Sequence, residues 1–295
     1  MATRSIKHVT IIGVGLLGGS AGLAIKARYR SATIAGVGRR QSSLDEALAV
    51  GAIDEAHLDA AAPAARSDVV ILATPVGAFE KQLRTIKPVL KATAMVTDVG
   101  STKSAVVRIA QRVLGRGGPF VGSHPMAGSE HKGPGFARAD LFVGATCVIT
   151  PTPATPPAIT RRAEAFWKRL GACPVRMTPA AHDKALARVS HLPHVLASLL
   201  MMLPRKADLP IAATGFRDTT RLASGDPEMW RDILMTNRRA ILSAIDDFDE
   251  SLMHLRDLVE LADAPGIEKF LAAAKKRRGE SIAKRLLDPS QPGSA

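Results

Sequence analysis

Residues 9–18 read VTIIGVGLLG, an apolar run that passes directly into a glycine-rich turn. The run has the length and the β-branched side chains of a buried strand, and the Ala- and Leu-rich residues after it are typical of a helix. Glycines at these spacings permit a tight turn, close approach of the backbone to a pyrophosphate and contact between strand and helix, while the helix N-terminus attracts phosphate. We therefore predict a dinucleotide site, with a tight turn that binds no ligand as the alternative. Its residues are Gly13, Gly15, Leu16, Leu17 and Gly18.

The first half of the chain repeats this alternation of short apolar strands and Ala-rich amphipathic helices. Continuous apolar strands separated by helices are typical of a parallel sheet with helices on both faces. We therefore predict an α/β fold with an N-terminal doubly wound domain of the Rossmann type. The predicted strands are Val9 to Gly13, Thr33 to Val37, Val69 to Ala73, Met95 to Asp98, Phe120 to Gly122, Thr146 to Thr150 and Cys173 to Met177, with a helix at Ile159 to Leu170 before the last.

The pattern changes after Thr178, where apolar residues recur only at helical spacing, so we predict a C-terminal all-helical domain. A long helix is expected to begin at Asp226-Pro227-Glu228, because Asp caps a helix and Pro suits its first turn, and to end at 263–266. Such a helix needs a neighbour along its length, which predicts a homodimer interface or, alternatively, a bundle within one chain. The predicted divisions are 1–178, 179–288 and a disordered tail at 289–295.

Composition restricts the classes of partner. The formal charge of +13 favours anionic partners, but only 4% of the residues are aromatic, which disfavours stacking on single-stranded nucleic acid. The two cysteines, Cys147 and Cys173, match neither a disulfide framework nor a zinc ribbon, so a reducing cytoplasm is expected. The apolar run from Ile11 to Ile25 is too short and too glycine-rich to span a bilayer, so no membrane association is predicted.

The loop after the second predicted strand carries basic residues where many dinucleotide sites carry an acidic one. A NAD site usually places Asp or Glu about 20 residues after the glycine motif to bind the ribose hydroxyls. Here that position reads Gly38-Arg39-Arg40-Gln41-Ser42. Two guanidinium groups and a hydroxyl suit a 2′-phosphate, so Arg39, Arg40 and Ser42 predict that NADP is favoured over NAD, with exposed loop arginines as the alternative.

Four further motifs occur in a fixed order after the glycine turn: DVGSTK at 98–103, SHPMAGSE at 123–130, SHLPH at 190–194 and GFRDTTRLASGDPEMWRDI at 215–233. Together they closely resemble the prephenate/arogenate dehydrogenase family over nearly the whole chain. The resemblance implies oxidative decarboxylation of a cyclohexadienol dicarboxylate, with hydride transfer to NADP or NAD, in tyrosine biosynthesis. Prephenate and arogenate differ only in a keto or amino group, and a carboxylate of Glu130 or Asp226 facing that group would favour arogenate. Prephenate is named first, with arogenate as the alternative.

The resemblance also implies roles for three residues. His124 accepts the ring hydroxyl proton as hydride leaves, which suits an imidazole of ordinary pKa about 6.5. Ser101 hydrogen-bonds and orients that histidine, with a helix cap as the alternative. Arg221 clamps a substrate carboxylate, with a structural ion pair to Asp218 as the alternative.

The remaining family positions are expected to contact ligands without performing chemistry. Trp230 stays outside the catalytic set, since core packing explains it equally well. His191 and His194 lack a third ligand at suitable spacing, so no metal is predicted. The expected substrate contacts are His182, Ser190, His191, His194, Ser129 and Glu130, and the expected nicotinamide-ribose contacts are Thr74, Pro75 and Val76.

Two other functional classes remain open from the sequence. One is another dehydrogenase with a Rossmann and a helical domain, such as a β-hydroxyacid dehydrogenase, against which the motifs at 123–130 and 215–221 argue. The other is a non-catalytic NADP-binding or nucleic-acid-binding protein, suggested by the net charge, which would bind nucleic acid with steep salt dependence.

Overall fold

A computed structural model describes residues 6–129 and 131–283, so Glu130 and the tail predicted at 289–295 lie outside the described residues. The strands are β1 (His8–Ile12), β2 (Thr33–Val37), β3 (Glu55–His57), β4 (Val69–Leu72), β5 (Met95–Asp98), β6 (Gly122–Pro125), β7 (Thr146–Thr150) and β8 (Cys173–Arg176). The helices are α1 (Leu16–Arg28), α2 (Gln41–Ala49), α3 (Ala61–Arg66), α4 (Phe79–Ile86), α5 (Ser104–Leu114), α6 (Pro157–Arg169), α7 (Pro179–Leu186), α8 (Leu192–Met202), α9 (Thr214–Thr220), α10 (Pro227–Thr236), α11 (Arg238–Glu260) and α12 (Ala264–Ala283).

The central sheet is parallel and has the strand order β3-β2-β1-β4-β5. The strand order reverses beside β1, and ligands of such sheets bind at this switch point, outside the carboxyl ends of the strands. The predicted fold class is therefore confirmed. The three-residue strand β3 was missed, because so short a segment carries no readable alternation.

A second, smaller sheet has the order β6-β7-β8, with β6 antiparallel to β7. One bridge, between Val96 and Phe120, connects the segment before β6 to β5. The strand predicted at Phe120 to Gly122 thus begins its ladder two residues later, at Gly122. This shift puts His124 inside the strand, opposite Val148.

Both faces of the parallel sheet are buried, as the continuous apolar strands require. Val69 and Ile71 belong to one apolar cluster and Val70 and Leu72 to another, because successive side chains of β4 point to opposite faces. All four side chains are fully buried. This packing holds the carboxyl ends of β1 and β4 in fixed positions beneath the glycine turn.

After β8, the part of the chain that the structure describes is helical. Thr178 caps α7 by accepting a hydrogen bond from the backbone of Ala181 at 3.1 Å. One π-helical turn, Ala187–His191, then joins α7 to α8. A π turn inserts an extra residue into a helix and is often found at functional sites.

The prediction of one long helix beginning at 226–228 is wrong. The helix breaks at Asn237, whose φ of −110° and ψ of 21° are not helical, and α10 and α11 result. The physical reason is that the side chain of Asn237 is buried and hydrogen-bonds to the backbone of Asp183 and to the ring of His191, which belong to other elements. The helix α11 ends at Glu260, before the stop predicted at 263–266, and Pro265 lies in the first turn of a further helix, α12.

The segment Pro179–Met202 has a mean hydropathy of 1.2, so that by length and composition alone it could cross a membrane. Two of its polar side chains, His182 and Asp183, are buried against the N-terminal domain, where they bond to His124 and to the backbone of α5. These bonds hold the start of the segment inside a protein core. Its large exposed apolar side chains include Val189, Leu199 and Met202.

Candidate active site

The glycine turn between β1 and α1 has the shape that a pyrophosphate needs. Gly13 has a φ of +101°, and a Cβ there would lie 2.6 Å from the backbone oxygen of Ala73. A Cβ on Gly18 would collide with the backbone oxygen of Gly13. A Cβ on Gly15 would meet nothing within 4 Å, and no side chain caps the amides at the start of α1. The open space and the uncapped amides fit a bound dinucleotide phosphate.

The loop after β2 exposes the three residues predicted to select the cofactor. Arg39, Arg40 and Ser42 are all exposed, and Arg40 stands at the start of α2. Within the described residues, neither guanidinium has a carboxylate partner. Two uncompensated positive charges therefore lie at the carboxyl end of β2.

The predicted ribose contacts follow β4, next to the glycine turn. The Thr74 methyl group would lie 2.8 Å from a Cβ on Gly13, and the Thr74 hydroxyl bonds to Gln82 at 3.0 Å. Pro75 is exposed, and Val76 is buried and begins a 3-10 turn. The structure thus brings residues 74–76 to the carboxyl edge of β1 and β4.

His124 is buried in β6 and faces a second histidine. Its Nδ1 atom lies 2.8 Å from Nε2 of His182, and Nδ1 of His182 lies 2.8 Å from Oδ1 of Asp183. Nε2 of His124 makes no hydrogen bond within the described residues, yet it is not among the buried unpartnered atoms. The Nε2 atom is therefore not fully enclosed and keeps some solvent-accessible surface.

The backbone just before His124 is held by a buried ion pair. Lys103 and Asp98 are both fully buried and form a salt bridge. Asp98 accepts the backbone N–H of Ser123 at 2.9 Å, and the Lys103 ammonium donates to the backbone oxygen of Ser123 at 2.8 Å. The ion pair thus holds both the backbone N–H and the backbone oxygen of Ser123, the residue that precedes His124.

His124 is neutral at ordinary pH. Burial lowers its pKa well below 6.5, and the neighbouring His182, Lys103 and His191 lower it further. A neutral imidazole carries a lone pair on one ring nitrogen and can accept a proton there.

Ser101 is half-buried in the segment between β5 and α5. The hydrogen bond expected from it to His124 is absent from the described structure, in which Nδ1 of His124 faces His182. His182 was expected to contact substrate, but it is fully buried behind His124. The role predicted for Ser101 stays a prediction.

The π turn, α8 and α10 supply a second group of rings, those of His191, His194 and Trp230. His194 stacks on Trp230, with ring centroids 3.5 Å apart and an interplanar angle of 7°. A Cβ on Gly225 would collide with the Trp230 indole and reach to 2.8 Å from His194, so the stack needs glycine there. His191 is buried at the edge of Trp230, 6.0 Å between centroids, and Ser190 beside it is half-buried.

Arg221 is exposed at the end of α9, in a segment that packs against α8. The ion pair to Asp218 considered as an alternative does not form, and no other described carboxylate pairs with Arg221. Its guanidinium is therefore open to an anionic ligand.

Lys132 contacts the helical half of the chain, close in sequence to Ser129. Ser129 is exposed, and its hydroxyl accepts the backbone N–H of His131 at 3.3 Å. Lys132 forms a salt bridge with Asp226, which also caps α10 by accepting from the backbone of Met229 at 2.7 Å. The Asp226 carboxylate is thus already engaged.

Sequence reasoning missed four residues of this site: Asp98, Lys103, Asp183 and Asn237. Asp98 and Lys103 stand at the two ends of the DVGSTK motif, and Asp183 directly follows His182, so the motifs contained a signal for three of them. Asn237 offered none, since its partners are 46 and 54 residues away. Among the described residues, no cluster of His, Cys, Asp or Glu has the arrangement of a metal site.

Comparison with known proteins gives consistent matches. Residues 21–175 match the family described as "Prephenate dehydrogenase, nucleotide-binding domain", and residues 178–273 match "Prephenate dehydrogenase, dimerization domain". The chain is 35% identical over 280 residues to a prephenate dehydrogenase of Bacillus subtilis, covering 92% of this chain and 75% of that protein.

Two solved structures are also similar over nearly their whole length. One is prephenate dehydrogenase from A. aeolicus in complex with hydroxyphenyl propionate and NAD+, with a TM-score of 0.88, 31% identity and coverage of 95% of this chain and 99% of that one. The other is Synechocystis arogenate dehydrogenase, with a TM-score of 0.79, 32% identity and coverage of 92% and 99%.

Proposed function

Because the chain belongs to the prephenate dehydrogenase family, we propose that it oxidatively decarboxylates prephenate to 4-hydroxyphenylpyruvate, with His124 as the general base. The observation that carries this proposal is the state of His124: a neutral imidazole whose Nε2 atom makes no hydrogen bond among the described residues and keeps some solvent-accessible surface. The reaction belongs to tyrosine biosynthesis.

In the proposed reaction, NADP or NAD held at the glycine turn would supply the acceptor for the hydride of the ring carbon that carries the hydroxyl group. As this hydride leaves, Nε2 of His124 accepts the hydroxyl proton, and a carbonyl forms at that carbon. The ring carboxylate then leaves as carbon dioxide, and its bonding electrons make the ring aromatic. The imidazolium returns the proton to the oxygen, so that the product is a phenol and no net proton is released.

Capture of the dicarboxylate substrate is assigned to Arg221. A guanidinium presents a planar pair of donors that matches a carboxylate, and that of Arg221 is exposed without a carboxylate partner in the described chain. Ser190, His191 and His194 on the facing helix, together with Ser129 and Glu130, supply the remaining substrate contacts in this proposal.

Prephenate is preferred over arogenate because a free carboxylate would be needed to bind the arogenate ammonium group. Asp226, one of the two acidic residues considered for this role, is occupied by Lys132 and by the α10 cap. The Synechocystis relative described as an arogenate dehydrogenase keeps arogenate as the second candidate.

We assign NADP as the preferred cofactor. Arg39 and Arg40 lie at the carboxyl end of β2, where the 2′-phosphate lies in this fold, and pair with no carboxylate among the described residues. The A. aeolicus structure contains NAD+. The preference for NADP is therefore inferred from the loop of this chain and not from that relative.

The active protein in this proposal is a soluble cytoplasmic homodimer joined through the helical domain. Exposed apolar side chains occur on the segment 179–202 and on α11, among them Leu199, Met202, Leu252 and Val259. Exposed apolar patches of this kind mark protein interfaces. Both cysteines are free, which suits a reducing compartment.

Initial rates with prephenate and with arogenate, each with NADP and with NAD, test the proposal in four assays. The expected result is the highest kcat/KM for prephenate with NADP. A higher value with arogenate would reassign the substrate, and no turnover in any of the four assays would reject the function.

A further inference from the structure

The carboxylate of Asp183 receives three hydrogen bonds. Its Oδ1 atom accepts the backbone N–H of Lys103 at 2.7 Å and a bond from Nδ1 of His182 at 2.8 Å, while Oδ2 accepts the backbone N–H of Ser104 at 2.8 Å. Burial raises the pKa of Asp183, but the bonds from His182, Lys103 and Ser104 outweigh it and lower that pKa overall. An ionised carboxylate can only accept hydrogen bonds, so Nδ1 of His182 carries a proton.

The proton on Nδ1 of His182 determines the state of its other nitrogen. Burial lowers the pKa of His182, so the ring is neutral and holds a single proton. Its Nε2 atom therefore carries a lone pair, and it faces Nδ1 of His124 at 2.8 Å. Two ring nitrogens at this distance need one proton between them, and only Nδ1 of His124 can supply it.

We propose that His182 and Asp183 are positioning residues that hold His124 in its Nδ1–H tautomer, so that Nε2 is the atom that accepts the substrate's proton. A free neutral imidazole carries its proton on either nitrogen, and in the wrong tautomer Nε2 would be a donor. The inference rests on the proposed role of His124 as base.

The same chain of groups stabilises the charge that develops in the reaction. Once Nε2 of His124 is protonated, the ring is an imidazolium whose Nδ1–H already donates to His182, with the Asp183 carboxylate behind it. The donor, the acceptor and the carboxylate are in place beforehand, so no group has to reorient when the proton moves. In the Ser-His-Asp triad an aspartate orients the histidine base directly, whereas Asp183 acts on His124 through the ring of His182.

The position of the proton can be measured without substrate. Nitrogen-15 NMR of histidine-labelled protein distinguishes Nδ1–H from Nε2–H imidazole, and His124→Asn identifies the His124 signals. We expect the wild-type protein to show His124 protonated at Nδ1. Protonation at Nε2 would overturn the proposal, whether or not prephenate proves to be the substrate.

The variant His182→Asn tests the consequence for catalysis. The asparagine amide nitrogen can take the place of Nδ1 and still donate to Asp183, but the side chain is too short to put an acceptor where Nε2 of His182 faces Nδ1 of His124. We expect kcat to fall by about 10- to 100-fold, part of the contribution of a general base, with little change in KM. We also expect the fixed Nδ1–H signal of His124 to be lost.

Thr102→Val is the matched control, because it removes a different, partly buried hydrogen bond, that between the hydroxyls of Thr102 and Thr236 at 2.9 Å, beside the same helix start. Its kcat and its His124 signal are expected to stay near wild type. A folded His182→Asn protein with unchanged kcat would refute the proposal, and the wild-type NMR measurement decides it if that variant does not fold. Failure of the wild type to oxidise prephenate or arogenate would instead refute the proposed function.

Discussion

Asn237 fixes the tautomer of His191. The Asn237 amide nitrogen donates to the backbone oxygen of Asp183 at 2.8 Å, and it lies 3.1 Å from Nδ1 of His191. A backbone oxygen only accepts, so the nitrogen of the amide faces both partners, and Nδ1 of His191 must be an acceptor. The proton of this neutral ring is therefore on Nε2, a buried atom without a partner among the described residues.

The free energy of unfolding is expected to decrease as the pH is lowered from about 6.5 to about 4. Burial lowers the pKa of His191 to about 4, whereas in the unfolded chain it is near 6.5, so the unfolded state binds more protons in this interval. Because one pKa unit corresponds to about 1.4 kcal/mol, His191 alone accounts for a loss of roughly 3 kcal/mol at the lower end. The pKa values of His124, His182 and His194 are lowered as well and add in the same direction.

Urea unfolding at pH 7 and pH 5, at one protein concentration because a dimer is expected, measures this effect. His191→Gln is the control, and its free energy of unfolding should depend less on pH. Equal stability of the wild type at the two pH values would contradict the prediction.

Replacing His124 by Asn should remove turnover while preserving cofactor binding. Asparagine cannot act as a base, so kcat is expected to fall by about two to four orders of magnitude. The dissociation constant for the dinucleotide, measured by fluorescence, should stay near the wild-type value, since the glycine turn is untouched. A variant with nearly normal kcat would exclude His124 from the mechanism.

Arg39→Ala should lower the ratio of kcat/KM with NADP to that with NAD, because it removes one of the charges assigned to the 2′-phosphate. A hydrogen bond to a charged group contributes about 1.5–3 kcal/mol, which predicts a roughly 10- to 100-fold change in the ratio. Arg30→Ala is the matched control, since this exposed arginine precedes the amino end of β2. An unchanged ratio in Arg39→Ala would count against the NADP assignment.

Arg221→Ala should raise the KM for prephenate by about 10- to 100-fold, the loss expected for one charge-assisted contact to a carboxylate. The midpoint of thermal unfolding should change little, because the exposed guanidinium pairs with no described carboxylate. Arg217→Ala, four residues earlier and also exposed, removes the same charge and should leave KM near wild type. If the two variants behave alike, net charge rather than a specific clamp explains substrate capture.

Lys103→Met should destabilise the protein by about 3–5 kcal/mol, because it leaves the fully buried Asp98 carboxylate without its cation. The double variant Asp98→Asn/Lys103→Met should recover part of this loss, since no uncompensated charge then remains. Chemical denaturation of both variants measures the difference. A double variant less stable than Lys103→Met alone would show that charge pairing is not the reason for the loss.

The sequence alone determined the fold class and the location of the dinucleotide turn. Apolar strands buried on both faces and a glycine pattern fixed by backbone geometry are local properties, so β1, β2, β5 and β7 and the role of Gly13 could be read directly from the chain. The family motifs likewise indicated His124. The break at Asn237 could not be predicted, because helix spacing continues through it and only distant partners explain it.

The tertiary structure alone decided which groups meet at His124. The sequence suggested Ser101 as the orienting residue and His182 as a substrate contact, but the fold places His182 behind the His124 ring and Asp183 behind His182. The sequence shows that His182 and Asp183 are neighbours, but it does not show that they approach His124, which lies in a strand 58 residues before His182. Hydrogen bonds between distant elements depend on how whole helices pack against the sheet, and periodicity within one segment contains no information about that packing.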